Sequence, residues 1–279
     1  MKALFDRISY RTSAMVTKKY STSFSLGILF LDRSLHQHIY AIYGFVRFAD
    51  EIVDTFHDYD KKALLDDFKV QCHKAIDQGI SLNPILNSFQ HTVNRFNIDR
   101  ELIDTFLKSM EMDLDLSKVQ SEEEYEEYIL GSAEVVGLMC LKVFCYGDQE
   151  QYDRLRWNAM KLGSAFQKIN FLRDLNADYQ QLGRVYFPGV NMQVFDDQVK
   201  REIEEDIEKD FKAGYEGIIA LPKQARFGVY VAYMYYYRLF LKIKATPSNT
   251  ILNQRVRIPN HNKYRLLVSS YLKHSFNIL

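Results

Sequence analysis

Cysteine is scarce in this sequence. Three stand in 279 residues, Cys72, Cys140 and Cys145, and no pair has the C-x-x-C spacing. An odd, scattered set builds no disulfide framework and suits a reducing cytoplasm. Net charge is lacking as well, with 36 basic residues against 36 acidic. No bulk field therefore draws the chain to nucleic acid or to an anionic membrane. No run approaches the ~18 apolar residues of a spanning helix; Lys142 and Arg238 interrupt the greasiest segments. The opening residues, Met1 to Arg7, contain no apolar signal core. A glycine-rich phosphate loop is missing too, which excludes nucleotide hydrolysis of the P-loop type. Sustained strand alternation, repeats and low-complexity segments are likewise absent.

What is there is helical period and aromatic mass. Nineteen Tyr and nineteen Phe accompany a single Trp. All five prolines, Pro84, Pro188, Pro222, Pro247 and Pro259, fall where periodic segments begin or end. The spacing predicts a first helix leading to Tyr20-Ser21-Thr22-Ser23-Phe24-Ser25, hydroxyls that can cap a helix or bind a phosphate, with capping favoured. A central helix is expected over 32–57, then three short ones up to residue 118, with Asp99 as a candidate N-cap. Ser121 and Glu124 form a capping box that opens a helix carrying Tyr128, Gly131, Ser132, Ala133 and Gly137. Long helices are expected over 151–179 and 201–218, then a tyrosine-rich helix after Pro222 and a last one over 261–276. The whole reads as one domain, 1–279, with an all-α bundle and a central cavity.

Two stretches break the apolar pattern. In Asn170-Phe171-Leu172-Arg173-Asp174-Leu175-Asn176-Ala177-Asp178, the aspartates Asp174 and Asp178 are four apart. Both leave one face of a helix about 6 Å apart along its axis, with Asn170 a turn earlier and Gln167 near the edge. Asp50 and Asp54 repeat the spacing, with Tyr43 and Arg47 on the same stripe. Like charges one turn apart repel, and among apolar neighbours they need a cation. Oxygen donors without a Cys or His cluster favour a hard ion, so the two pairs read as a Mg²⁺–polyphosphate clamp. Arg47 and Arg173 lie within a turn of the pairs, suited to phosphate oxygens or to the aspartates themselves. A Phe- and Tyr-lined interior suits an isoprenoid tail, and aromatic faces can stabilise a carbocation.

These residues carry a resemblance. Leu162-Gly163, Gln167, Asn170, Arg173-Asp174-Leu175, Asp178, Arg184, Tyr186 and Pro188 match the long signature of the squalene and phytoene synthase family. Asp50-Glu51-Ile52-Val53-Asp54, with Tyr43 and Arg47, resembles its first aspartate motif. Ser21 and Ser23 resemble its diphosphate-contacting serines. Met112-Asp113-Leu114, Tyr237 and Arg255 are weaker matches. Tyr128 to Gly137 resembles another signature, although Ile129 and Glu134 stand where small residues are usual. Glu134 either points outward or adds a carboxylate near the pocket.

The resemblance implies the isoprenoid synthase bundle and head-to-head condensation of two prenyl diphosphates. It implies catalytic roles for Asp50, Asp54, Asp174, Asp178, Tyr43 and Arg47. Substrate contacts would come from Ser21, Ser23, Arg47, Tyr128, Gln167, Asn170, Arg173, Arg184, Tyr186 and Tyr237. Asp50, Asp54, Asn170, Asp174 and Asp178 would hold Mg²⁺, with Mn²⁺ as the alternative. The pattern is most like bacterial phytoene synthases, and the chain ends at Leu279 without the anchor usual in squalene synthases that use NADPH. The expectation is therefore phytoene from geranylgeranyl diphosphate, without NADPH, in a cytoplasmic protein peripheral to the membrane. The alternatives are a thirty-carbon synthase using farnesyl diphosphate and a non-catalytic lipid-binding or assembly protein of the same fold.

Overall fold

The computed structural model describes residues 1–115, 121–182, 186–190 and 194–257, without the side chains of residues 22, 23, 115 and 177–182. Among the described residues every regular element is helical: α1 (Lys2–Tyr20), α2 (Thr22–Leu29), α3 (Arg33–Thr55), α4 (Lys61–Gln78), α5 (Pro84–Phe96) and α6 (Arg100–Asp115) in the first half. The second half holds α7 (Glu122–Ile129), a π turn (Leu130–Glu134), α8 (Val135–Phe144), α9 (Gln149–Leu182), α10 (Asp197–Ala220), α11 (Lys223–Lys244) and α12 (Ser248–Ile251). The helix expected over 261–276 lies outside the described residues.

Local chemistry sets the boundaries. Ser21 ends α1 and caps α2, its Oγ accepting from Phe24 N at 3.2 Å. Asp32 caps α3 through Ser34 N at 2.9 Å. The Ser121 hydroxyl accepts from Glu124 N at 3.2 Å, as the capping box requires. Asp99 directly precedes α6, and its carboxylate lies 3.1 Å from Lys142 Nζ. Asp148 accepts from Gln151 N at 3.0 Å, which starts α9 two residues before the expected position.

Helix α3 is the pillar of the first half and packs against α1, α2, α4, α5, α6 and α8. Its Phe45, fully buried, stacks on Phe89 at 3.9 Å and on Phe68 at 5.6 Å. Burying such a ring contributes about 2–3 kcal/mol. Helix α9 is the second pillar, held by α8, the π turn, α10 and α11. A methyl group on Gly163 would meet Ala133 O at 2.8 Å, and one on Gly137 would meet Ala159 O at 2.9 Å. Glycine at both positions lets the backbones of α8 and α9 come close beside an apolar cavity that both residues line.

Candidate active site

The cavity has a volume of about 240 Å³ and lies among α2, α8, α9, α10 and α11. Phe24, Ala133, Cys140, Leu155, Leu162 and Phe166 are in its wall. Burial pushes the Cys140 thiol up to about 12, so it stays a neutral apolar surface. Ser132 and Gln167 bring polar atoms to the lining, and Gln167 Nε2 donates to Ser132 Oγ at 3.4 Å. From Gln167 the polar groups continue along α9 toward the aspartates.

On that face Asn170 Nδ2 donates to Gln167 Oε1 at 3.3 Å. Asn170 Oδ1 is buried and has no hydrogen-bond partner. One turn on, Asp174 receives Arg173 Nε at 3.0 Å and its terminal nitrogen at 2.5 Å. Arg255 reaches the same carboxylate, with Nε at 2.5 Å and a terminal nitrogen at 3.1 Å. Asp178 stands a turn further along α9, but its side chain lies outside the described residues, as do Arg184 and the Ser23 side chain.

The α3 wall is organised around Arg47. Its guanidinium pairs with Asp50 and Glu51 and sits 4.4 Å from the Tyr20 ring. Arg47 Nε is buried without a partner. Asp54 lies one turn beyond Asp50 and is half-buried. Tyr43 stacks on Phe24 at 5.0 Å and its hydroxyl is hydrogen-bonded with Ser21; burial pushes its pKa up to about 12. Ser21 thus serves as a helix cap and also reaches the site, so the two readings of the hydroxyl cluster are compatible.

Tyr236 of α11 joins the walls, and the sequence reading missed it. It stacks on Phe166 at 4.1 Å, hydrogen-bonds with Asn170, and lies within electrostatic reach of Arg173, Asp174 and Tyr43. Its neighbour Tyr237, the residue selected from sequence, is turned toward α10, on Tyr233 at 5.6 Å and Phe211 at 5.4 Å. The overlooked signal was an i,i+4 row, because Gly228 and Ala232 line the cavity and Tyr236 is the next step.

Tyr128 and Tyr186 are also placed together, beside α9. Tyr186 stacks on Phe171 at 4.1 Å and on Tyr128 at 5.3 Å. The Tyr128 hydroxyl donates to both Asp113 oxygens at 2.9 Å. Burial first, and the Asp113 charge second, hold the Tyr128 hydroxyl in its neutral form. Glu134, left open by the sequence, is buried and faces the seam between α9 and α10, with Lys161 Nζ at 3.9 Å.

Among the described residues no three His, Cys, Asp or Glu side chains are gathered so as to hold a metal by themselves. The donor types nonetheless fit a hard cation. Asn170 offers an unpartnered buried carbonyl oxygen, and Asp50 and Asp174 supply carboxylates already matched to positive charge.

The family described as squalene/phytoene synthase matches the chain over residues 17–262. Phytoene synthase of Arthrospira platensis is 27% identical, over 95% of this chain and 93% of its own. The 4,4'-diapophytoene synthase of Staphylococcus haemolyticus is 26% identical, over 71% of this chain and 68% of its own. A crystal structure of a dehydrosqualene synthase in complex with ligand superposes with a TM-score of 0.82, covering 96% of this chain and 98% of that one. At 22% identity that likeness shows the fold.

Proposed function

The chain belongs to the squalene/phytoene synthase family and is a prenyltransferase-type enzyme, and from that premise we propose that it joins two geranylgeranyl diphosphates head to head to give phytoene. One observation carries the reading: two buried polar atoms without partners, Asn170 Oδ1 and Arg47 Nε, in the two aspartate walls near an apolar cavity. Buried polar atoms in native proteins are nearly always hydrogen-bonded, and these two lie where the proposed diphosphate and its ion would supply the partners.

In this reading Arg47 and Arg173 bind diphosphate oxygens, and the tails lie along Phe24, Ala133, Gly137 and Phe166. Each buried methylene contributes about 0.8 kcal/mol. The C–O bond of one allylic diphosphate breaks and the electron pair leaves with the diphosphate. The double bond of the second molecule captures the cation and a proton is lost, giving a cyclopropylcarbinyl diphosphate. A second ionisation, rearrangement and proton loss give phytoene without a reductant, so NADPH has no role. Phe24 and Phe166, in the cavity wall, are the rings that would stabilise the cation. Asp50, Asp54, Asn170, Asp174 and Asp178 would hold Mg²⁺ or Mn²⁺. The ion supplies positive charge against the departing diphosphate. Because the proposed product is insoluble in water, this reading puts the protein at the membrane surface; among the described residues no helix is long and apolar enough to cross a membrane.

The twenty-carbon substrate is favoured by the cyanobacterial relative, which matches almost the whole chain. The staphylococcal relative supports a second reading, a thirty-carbon product from farnesyl diphosphate. Competition between the two diphosphates in one tube, with Mg²⁺ and without NADPH, separates them. Forty-carbon hydrocarbon is expected. A thirty-carbon pool overturns the chain length, and the absence of any hydrocarbon from either substrate overturns the condensation.

A further inference from the structure

Helix α1 is built inside out. Its inward side is made of Ser9, Ser13 and Thr17, each fully buried, with Val16. Ser13 Oγ meets Ser88 Oγ at 2.7 Å, and Asn87 Nδ2 donates to Ser9 Oγ at 3.1 Å. Against this seam α3 offers Gly44, where a methyl group would come within 2.9 Å of Ser13 Oγ. The outward side holds Leu4, Ile8 and Met15, which are 43%, 47% and 58% exposed. Steps of four and seven residues place these three on one stripe. Arg7, Arg11, Lys18 and Lys19, all exposed, flank it.

The charge of this helix departs from that of the chain. Within Lys2–Tyr20 five residues are basic (Lys2, Arg7, Arg11, Lys18, Lys19) and one is acidic, Asp6. Asp6 is already engaged by Lys2 Nζ at 2.9 Å and Asn87 Nδ2 at 3.0 Å. An apolar stripe bordered by cations on an exposed helix partitions into the boundary between headgroups and acyl chains of an anionic bilayer. A second copy packed on the same face would set these cations against themselves. At its far end the helix carries Tyr20, whose ring lies over Arg47, so α1 runs from this surface to the aspartate wall.

We propose that the outward face of α1, centred on Leu4, Ile8 and Met15, is the surface by which the protein docks on anionic lipid. The inference rests on the membrane association proposed for the enzyme and assigns it to one helix. The full-length protein would be sedimented with vesicles of phosphatidylcholine alone and with an equimolar mixture containing phosphatidylglycerol. Two variants accompany it: Leu4→Ser/Ile8→Ser/Met15→Ser, and Arg7→Gln/Arg11→Gln/Lys18→Gln/Lys19→Gln. Binding of the wild type to anionic vesicles is expected to fall at least about tenfold in either variant, with secondary structure intact. The charge variant changes exposed cations only and carries the test if the serine variant is unstable. Vesicle binding that survives in the charge variant overturns the assignment to α1 and leaves membrane association standing. Failure of the wild type to bind either kind of vesicle overturns both, whereas equal binding to neutral vesicles, or a dimer that either variant dissociates, overturns the assignment of α1 as an anionic-lipid surface.

Discussion

Helix α9 has two polar faces, and they differ in how their hydrogen bonds close. Toward α10, Lys168 Nζ meets Asp210 Oδ2 at 2.7 Å and also pairs with Asp206. Ser164 Oγ donates to Asp210 at 2.8 Å, and Lys161 lies 3.7 Å from the same carboxylate. On the other side the residues are Gln167, Asn170, Arg173 and Asp174, two amides and one charge of each sign, and Asn170 Oδ1 is left without a partner. Of the three buried side-chain atoms without partners among the described residues, Asn170 Oδ1 and Arg47 Nε belong to the two aspartate walls. Burial and charge are common to both faces. Incomplete pairing separates the two faces: the open one is where the proposed ligand would bind, and the closed one holds helices together.

If that distinction holds, Asp210→Asn lowers stability and leaves turnover per folded molecule nearly unchanged. Breaking a buried ion pair costs on the order of 3 kcal/mol, which urea unfolding would register. An inactive but fully stable Asp210→Asn protein would break the comparison. The opposite split is expected for Asp50→Asn and Asp174→Asn. Each keeps side-chain volume and removes charge for a cation, so turnover per folded molecule should fall on the order of a hundredfold. The lost pairs with Arg47, or with Arg173 and Arg255, lower the unfolding midpoint less than in Asp210→Asn, whose carboxylate is more deeply buried. Near-normal turnover in both would remove the clamp from the reading.

Tyrosines of α11 sharpen the contrast at smaller scale. Tyr236→Phe keeps the stack on Phe166 but removes the hydroxyl beside Asn170. A loss of up to about tenfold in kcat/KM is expected, the value of one hydrogen bond. Tyr237→Phe faces α10 and should leave kcat/KM within about twofold. Steady-state kinetics on the two variants would reverse the assignment if Tyr237 proved the sensitive one.

Much of this was legible from residues alone. The caps at Ser21 and Ser121 are short-range chemistry, and α3 announces itself through a long apolar run broken by one polar stripe, whereas α9 is marked by its aspartate motif rather than by a single apolar face. Face selection was legible only where a helix has contrast. In α11 tyrosines stand at 230, 233, 235, 236 and 237, so composition is alike on adjacent faces and a rotation of about 100° per residue decides between Tyr236 and Tyr237. The π turn over Leu130–Glu134 adds a residue to one turn and re-aims the side chains of α8. The same segment is approached closely by α9 at Gly163 and by α6 at Gly131, contacts that short-range sequence pattern does not encode. Helix α1 departs from the usual rule, since Leu4, Ile8 and Met15 face out while Ser9, Ser13 and Thr17 face in beside Val16.

Glu134 gives the finest test of the comparison, because it belongs to the paired face yet is paired loosely. Its side chain is buried against α9, and its one close cation, Lys161, stands 3.9 Å away and is shared with Asp210. Burial, the largest influence, raises its pKa above the ordinary 4.5; Lys161 and Lys168 oppose the rise, while Asp210 and Glu126 add to it. The folded protein therefore binds this proton more tightly than the unfolded chain does. The stability it contributes is fully present below pH 4.5 and is lost as pH rises through the folded-state value. Glu134→Gln keeps the shape and cannot titrate, so that decline should vanish and the variant should gain on the wild type toward neutral pH. Since Glu134 faces the α9–α10 seam, turnover should stay within about twofold. Urea midpoints measured from pH 4.5 to neutrality decide the matter. A decline as steep in Glu134→Gln as in the wild type would show that the loose pair is as closed as its neighbours.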